Sequence, residues 1–256
     1  MFLVMNKEKI YAYLVSIVMV VFLFFVATTF YTDKESVAVS ATNQKLLPIY
    51  RVRTEEKKVA LTMNCAWNAD DIDEILKTLE ESKIKITFFM VGDWVDKYGV
   101  YVKKIYEAGH EIANHSNTHP HVSNLNEEKN REEIKKCSQK IEAITGKKTT
   151  LYRGPYGEYS NTVLRAAKAE NHITIQWSID SLDYTGLTEK EIISRIEPKL
   201  QNGSIILMHN GTKNTASSLK GIIKSIKEKG FDIVKVSDLI YQENYQIDVN
   251  GVQHQE

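Results

Sequence analysis

The sequence has little cysteine, no net charge and no glycine-rich loop, and each of these absences disfavours a class of protein. Two cysteines, Cys65 and Cys137, in 256 residues are too few for a disulfide scaffold and for a metal site built from cysteine alone. The 33 lysine and arginine residues equal the 33 aspartate and glutamate residues in number, so the excess positive charge of a nucleic-acid-binding domain is missing. No glycine-rich phosphate loop follows an apolar run, which disfavours nucleotide binding. We therefore predict no nucleic-acid partner.

The N-terminal region contains one long apolar run. Residues 10–31 are 22 residues without a charge, enough to cross a bilayer of about 30 Å. Lys7 and Lys9 precede the run, which predicts a cytoplasmic N-terminus (residues 1–9) and an extracytoplasmic remainder. A cleaved signal peptide, with secretion of the rest, is the alternative, but the run exceeds the ~7–15 residues of a signal-peptide core. We predict a retained single-pass anchor in the cell membrane.

The rest of the chain divides by pattern into three parts. Residues 32–57 are polar and are interpreted as a stalk, residues 58–242 as the main domain, and residues 243–256 as a C-terminal tail. In the main domain, apolar β-branched runs alternate with segments of helical period. The apolar runs lie at residues 59–63, 86–92, 110–114, 149–152, 173–179, 204–209 and 232–236. The helical segments lie at residues 70–82, 126–145, 188–200 and 217–229.

This alternation predicts a parallel sheet covered by helices, because strands buried on both faces are continuously apolar. Polar residues of catalytic type follow several of the runs. A β/α barrel distributes such residues over many strand ends, whereas an open doubly wound sheet concentrates them at one switch point. We therefore expect a β/α barrel.

Histidines and acids follow three of the apolar runs. His115 and His119 are four residues apart, so in a helical turn both imidazoles can share a metal ion. Taken alone, such a pair is more often two surface or capping histidines. Asp180 and His209 end neighbouring runs, and a carboxylate beside an imidazole fixes its tautomer and raises its pKa. Asp183 is interpreted as a helix cap.

Four segments, in their order along the chain, resemble the motifs of the NodB-type polysaccharide deacetylases (carbohydrate esterase family four). The resemblance covers residues 58–242 and is closest to the membrane-anchored, sporulation-linked members with a variant first motif. The matching residues are His115, Ser116 and His119 for H-S-x-x-H; Arg153, Pro155 and Tyr156 for R-x-P-Y; Trp177, Asp180, Ser181 and Asp183 for W-x-x-D-S-x-D-W, with Tyr184 in the last place; and Leu207 and His209 for L-x-H.

The resemblance implies a metal-dependent N-deacetylase on a distorted (β/α)7 barrel. The ion would be divalent, Zn²⁺ first with Co²⁺ or Mn²⁺ as alternatives, held by two histidines and an aspartate. It would lower the pKa of a bound water and polarise the acetamide carbonyl. A carboxylate base would take a proton from that water. His209, paired with Asp180, would protonate the leaving amine, and Arg153 would steady the base. The expected glycan-binding residues are Trp67, Tyr156 and Leu207.

The first motif departs from the family pattern. Its usual form, T-F-D-D, supplies the base and a metal ligand, and Asn64 and Cys65 stand at these places. An amide cannot take a proton at neutral pH, so Asn64 is expected only to orient the water. In the variant members a later acid follows a tryptophan. We predict Asp70 first, and Asp71 second, as the ligand beside the two histidines, with the Cys65 thiolate as the alternative; helix capping is the other role of these acids.

Three functions remain open at this point. The first is a working deacetylase of an envelope glycan, peptidoglycan or a related amino-sugar polymer, whose base is the second acid or the metal-bound hydroxide. The second is a catalytically weak, metal-containing barrel that binds glycan, and the third is a structural envelope protein. The pair of His209 with Asp180, together with Arg153, favours the first, since binding alone needs no proton donor.

Overall fold

The computed structural model describes residues 6–42 and 45–256, and the chain divides into an N-terminal unit, residues 1–45, and a main unit, residues 46–256. In the described ranges the helices are α1 Lys7–Thr42, α2 Ile72–Glu81, α3 Gly92–Lys97, α4 Gly99–Glu107, α5 Glu127–Thr145, α6 Asn161–Ala169, α7 Glu189–Ile196 and α8 Thr215–Glu228. The strands there are β1 Arg51–Val52, β2 Lys58–Cys65, β3 Thr87–Met90, β4 Glu111–Asn114, β5 Leu151–Tyr152, β6 Ile173–Thr174, β7 Ile179–Asp180, β8 Ile205–His209, β9 Asp232–Val234, β10 Tyr245–Ile247 and β11 Val252–Gln255. Short 3-10 helices lie at Val122–Asn124, Pro155–Gly157, Asp183–Thr185, Glu197–Lys199 and Val236–Asp238.

The N-terminal unit contains the 36-residue helix α1. Within it, Ile10–Thr28 is a 19-residue segment with a mean hydropathy of 2.7, which is long and apolar enough to cross a bilayer. A signal sequence has the same properties. The retained anchor at residues 10–31 therefore stays a prediction.

The main unit is built on a parallel sheet in the order β6-β5-β4-β3-β2-β8-β7, with β9 paired to the start of β2. The central strand β2 lies parallel to both β3 and β8. The sheet curls into part of a barrel, which is consistent with the predicted distorted (β/α)7 fold. All seven predicted apolar runs contribute strands to this sheet.

The two faces of β2 have different surroundings, because successive side chains of a strand point to opposite faces. One face belongs to the core cluster that joins the sheet to the helices, and its β2 members are Val59, Leu61, Met63 and Cys65. Burial stabilises aliphatic side chains of this kind by about 1.5–3 kcal/mol each. On the other face, Thr62 and Asn64 contact the Arg153 guanidinium. The inner face of β2 is thus polar near its carboxyl end.

The run at residues 173–179, predicted as one strand, is two strands, β6 and β7. The carbonyl groups of Ile175 and Gln176, which lie between them, accept hydrogen bonds from the Arg153 side chain at 3.4 and 3.1 Å. These two carbonyls therefore accept hydrogen bonds from a side chain and not from the backbone of a neighbouring strand. The interruption marks the place where Arg153 enters the sheet.

The predicted boundaries of the main domain at residues 58 and 242 are wrong. A small sheet in the order β1-β11-β10 joins the preceding and following segments to the main unit. Arg51 pairs with Val252, and Val52 pairs with Gln253. Ile49 is fully buried. The supposed stalk and tail therefore contain folded parts of the main unit, which begins at Leu46 and continues to Glu256.

The four predicted helices are present as α2, α5, α7 and α8. Gly146 ends α5 in the left-handed conformation at φ 68°, as the position of this glycine predicted. Thr188 begins α7 with a capping box completed by Glu191. Helices α3, α4 and α6 were not predicted.

Candidate active site

Four strand ends bring the predicted polar side chains together. Asn64, near the end of β2, is in register with His209, the last residue of β8. Strands β4 and β5 pair at their last residues, so His115 and Arg153 follow side by side. The ring Nδ1 of His115 lies 2.7 Å from the Arg153 carbonyl oxygen. This cluster is therefore a product of the parallel register.

Arg153 is fully buried at the floor of the cluster. Its Nη1 donates hydrogen bonds of 2.9 Å to Thr62 Oγ1 and to Asn64 Oδ1. The guanidinium carbon lies 3.9 Å from the centroid of the Phe89 ring, a cation–π contact. These contacts, like those to the two backbone carbonyls, are with neutral groups. Burial lowers the pKa of Arg153 to about 9.

Asn64 stands where the resemblance places the catalytic base. It is 5% exposed. A guanidinium has only donors, so the amide oxygen of Asn64 must face Arg153 and the amide nitrogen must point away from it. The position of a negatively charged proton acceptor is thus held by a neutral amide.

His115 and His119 lie together, with ring centroids 5.0 Å apart. A backbone carbonyl only accepts, so His115 Nδ1–H donates to Arg153 O, which fixes the tautomer and leaves Nε2 as the free lone pair. Burial is the main cause that lowers the pKa of His115 well below its usual range, and burial also lowers the pKa of His119. Both rings therefore favour the neutral form, which is the form that binds metals.

Glu133, on α5, holds the loop that carries these histidines, and sequence reasoning missed it. Its Oε2 accepts hydrogen bonds from Ser116 Oγ at 2.7 Å and from the backbone N–H groups of Asn117 and Thr118, each at 2.9 Å. Ser116 and His119 have positive φ angles of 70° and 58°, where non-glycine residues are uncommon. The carboxylate thus stabilises a strained loop from a distant helix.

The predicted pairing of His209 with Asp180 is wrong, because His209 pairs with Asp183. Its ring Nδ1 lies 3.0 Å from Asp183 Oδ1, and its backbone N–H donates to Asp183 Oδ2 at 2.7 Å. Thr215 Oγ1 donates to the same Oδ2 at 2.6 Å. Leu182 turns the chain at φ 52°, which brings Asp183 back toward β8. Asp180 instead accepts from the Leu182 N–H at 2.9 Å.

The two acids predicted as metal ligands lie in other surroundings. Asp70 is exposed. The Asp71 carboxylate accepts from the Gly211 N–H at 2.7 Å and from Asn210 Nδ2 at 3.1 Å. Burial raises the pKa of Asp71. Its role visible here is to tie the start of α2 to the loop after β8.

The donor set does not fit the predicted three-ligand zinc centre. Within residues 6–42 and 45–256, no three His, Cys, Asp or Glu side chains form a group that could hold a metal ion, whereas a catalytic zinc site has three protein ligands. Cys65 lies in the outer core, on the face of β2 opposite to Asn64. Burial raises the pKa of its thiol well above the usual range, which disfavours the thiolate. Among the described residues, the predicted ligands His115 and His119 thus lie together without a third donor beside them.

Aromatic side chains surround the cluster on its open side. Trp67 is 49% exposed and stacks on the His209 ring with centroids 5.3 Å apart. Tyr184 meets the same ring edge-on at 5.1 Å. Tyr156 is 60% exposed, whereas Leu207 is buried, at 3%. Of the three predicted glycan-binding residues, Trp67 and Tyr156 present large surfaces to a ligand.

Comparison with known proteins gives the family. The model of the polysaccharide deacetylase family matches residues 51–174. A peptidoglycan-N-acetylglucosamine deacetylase of Bacillus cereus is 30% identical over 186 residues, which cover 71% of this chain and 68% of that protein. The chain belongs to the polysaccharide deacetylase family. The family predicted from the four motifs is confirmed, while the sporulation-linked subset stays a prediction.

Two further relatives of this deacetylase-family chain are informative. YlxY of Bacillus subtilis is 34% identical over 75% of this chain and 60% of YlxY, so the chain spans less than two thirds of that protein. BA3943 of Bacillus anthracis, named a CE4 family pseudoenzyme, is 31% identical with a TM-score of 0.73, covering 82% of this chain and 73% of that one. A BA3943 mutant with restored enzymatic activity is 33% identical with the same TM-score of 0.73, over 75% of this chain and 70% of that one.

Proposed function

We propose that this deacetylase-family protein binds an N-acetylated cell-wall glycan at the carboxyl ends of its strands and removes acetyl groups very slowly or not at all. The observation that carries the proposal is the hydrogen bond from Arg153 Nη1 to Asn64 Oδ1 at 2.9 Å. Arg153 is placed to hold a base, and the group that it holds is an amide.

Three neighbouring carboxylates are engaged in other hydrogen bonds. Asp183 accepts three hydrogen bonds, two from His209 and one from Thr215. Asp71 is bonded to the loop after β8, and Asp180 to the Leu182 N–H. A general base contributes about 10²–10⁴-fold to the rate, so its loss alone reduces a deacetylase to a slow one.

The aromatic side chains support the binding half of the proposal. Trp67, Tyr156 and Tyr184 are 49%, 60% and 47% exposed beside the cluster. Large amphipathic rings of this kind contribute much of the energy of a binding surface. The relatives' names suggest the ligand, an N-acetylated glycan of peptidoglycan type.

A working N-deacetylase is the second candidate, and one observation favours it. His209 is held by Asp183, as a histidine that donates a proton to a leaving amine should be. Such a protein would need a metal site completed by a residue outside the two histidines. For either function, the apolar segment of α1 supports an anchored protein whose main unit lies outside the cytoplasm.

One experiment separates the two candidates. The full chain in a nonionic detergent is mixed with insoluble peptidoglycan, and the sedimented protein and the released acetate are measured with EDTA, Zn²⁺, Co²⁺ or Mn²⁺. We expect sedimentation with the glycan in every case and acetate at the level of a protein-free blank. Metal-dependent acetate release would establish the deacetylase instead.

The binding half has its own control. Trp67→Ala should lower the sedimented fraction, whereas Val249→Ala, at an 89% exposed position in the turn between β10 and β11, should not. Protein that stays in the supernatant at every glycan concentration would contradict glycan binding.

A further inference from the structure

Asn64 presents an unpaired donor at the floor of the glycan site. Its amide oxygen is fixed toward Arg153, since the guanidinium can only donate. The amide nitrogen has no hydrogen-bond partner among residues 45–256, and it is not sealed from solvent. The side chain is 5% exposed. A mostly buried amide therefore directs its N–H groups at the solvent of the site.

Positive charge lies directly behind this donor. Arg153 is fully buried, and its hydrogen-bond partners are a hydroxyl, an amide and two carbonyls. His115, bonded to the Arg153 carbonyl, favours its neutral form and adds no negative charge. Of the acids that follow β7 and its loop, Asp183 is paired with His209, and Asp180 accepts from the Leu182 N–H. The positive charge of Arg153, which no carboxylate in the described part of the chain neutralises, therefore adds to the attraction of the amide N–H groups for a negatively charged ligand group.

We propose that the Asn64 amide, with Arg153 behind it, forms a subsite for a carboxylate group of the ligand. This subsite rests on the proposed function, because it lies within the same glycan-binding cluster at the strand ends. It specifies a chemical group that the cluster selects. A neutral carbonyl would gain one hydrogen bond there. A carboxylate gains the bond and the attraction of the charge, and bonds to ionised acceptors are the stronger ones. The carboxylate belongs either to an acidic sugar or to a free small acid.

Matched pairs of probes test the subsite on the full chain in detergent with EDTA. N-acetylmuramic acid differs from N-acetylglucosamine by an ether-linked carboxylate, and acetate differs from acetamide by its charge. Ligand-observed NMR titration gives a dissociation constant for each. We expect at least one acidic probe to bind at least five-fold tighter than its neutral counterpart. The pair that shows the preference identifies the source of the carboxylate.

Variants assign the preference to the subsite. Asn64→Asp places a carboxylate against Arg153 and should abolish the preference. Asn64→Ser keeps an acceptor for Arg153 but removes the amide, so it should reduce the preference for the acidic probe. This variant provides the test if Asn64→Asp does not fold. Asn68→Asp adds the same charge at an exposed position and should leave a preference of at least three-fold.

Two results overturn the proposal. One is equal binding within both pairs of probes by the wild-type chain. The other is a preference that persists in Asn64→Asp and Asn64→Ser. Loss of sedimentation with insoluble glycan, while the preference for acidic probes persists, would contradict the proposed function and leave the subsite intact.

Discussion

Asn64→Asp tests whether Arg153 is a buried cation that lacks its counter-charge. The substitution keeps the shape of the side chain and sets a carboxylate oxygen where Asn64 Oδ1 now accepts from Nη1 at 2.9 Å. Burial alone lowers the pKa of Arg153 from 12.5 to about 9, so the charged guanidinium costs the fold on the order of 5 kcal/mol, at about 1.36 kcal/mol per pKa unit. The new carboxylate should offset that cost.

The size of the gain follows from two opposing effects. Opposite charges about 4 Å apart attract by roughly 4 kcal/mol at an effective dielectric constant of about 20. Burial of the carboxylate costs several kcal/mol, so the net change in the free energy of unfolding at pH 7 should lie within about 2 kcal/mol of zero. The pH dependence is the sharper signal. A carboxyl beside a guanidinium has its pKa lowered by about 1–3 units, which corresponds to roughly 1.4–4 kcal/mol.

The sign of this dependence is fixed by the direction of the pKa change. A carboxyl whose pKa is lower in the folded state stabilises the fold above its unfolded pKa of about 3.9, and the contribution is lost as pH falls through the folded value. Urea unfolding of the variant and the wild type at pH 6 and pH 3 should therefore show the variant losing at least about 1 kcal/mol more. Asn68→Asp, at an exposed position, should lose less than about 0.5 kcal/mol in the same comparison. A difference between Asn64→Asp and wild type that is constant or grows in acid would refute the pairing with Arg153.

Three further predictions concern the surroundings of the site. Glu133→Gln should lower the free energy of unfolding by roughly 1–3 kcal/mol, because it weakens the hydrogen bonds to the histidine loop. The control Glu132→Gln removes an exposed ion pair with Lys136 and should change the free energy of unfolding by less than about 0.5 kcal/mol. Equal effects of the two variants would contradict the role of Glu133. Burial raises the pKa of Asp71, so the folded state holds the proton more tightly and wild-type stability falls as pH rises above the unfolded value. Asp71→Asn should thus gain on the wild type in urea unfolding between pH 4 and pH 7, and a flat difference would contradict this. Zinc added to the EDTA-treated chain should raise Tm by less than about 3 °C. A complete site at a zinc concentration about 1,000 times its dissociation constant would instead stabilise the fold by about 4 kcal/mol and raise Tm by about 10 °C. A rise of that size would reveal a complete metal site.

The strand ends could be predicted from the sequence because the signal there is local. Several apolar runs are followed within a few residues by a polar side chain of catalytic type, and parallel strands end at one edge of the sheet. His115, Arg153 and His209 were therefore placed together correctly. The neutral residue at position 64 was also visible as a departure from a family motif.

The missed features depend on contacts that no local pattern records. Glu133 is one of several acids on the 19-residue helix α5, and only the tertiary fold shows that this one contacts the histidine loop. Asp183 was interpreted as a helix cap because nothing in the sequence indicates the left-handed turn that directs it toward His209. That turn is made by Leu182, whereas glycine is the residue that predicts such a conformation. Strand β1, two residues long, is too short to show alternation.

The pairing of β1 with β11 has a consequence for the order of folding. Strand β1 lies near the start of the main unit, whereas β11 follows the whole main sheet in the sequence. Bringing together two segments so far apart along the chain costs conformational entropy before their contacts form, and non-local pairings of this kind form slowly. Because β1 is only two residues long, few bonds offset that cost, and the small sheet should form after the main sheet during refolding.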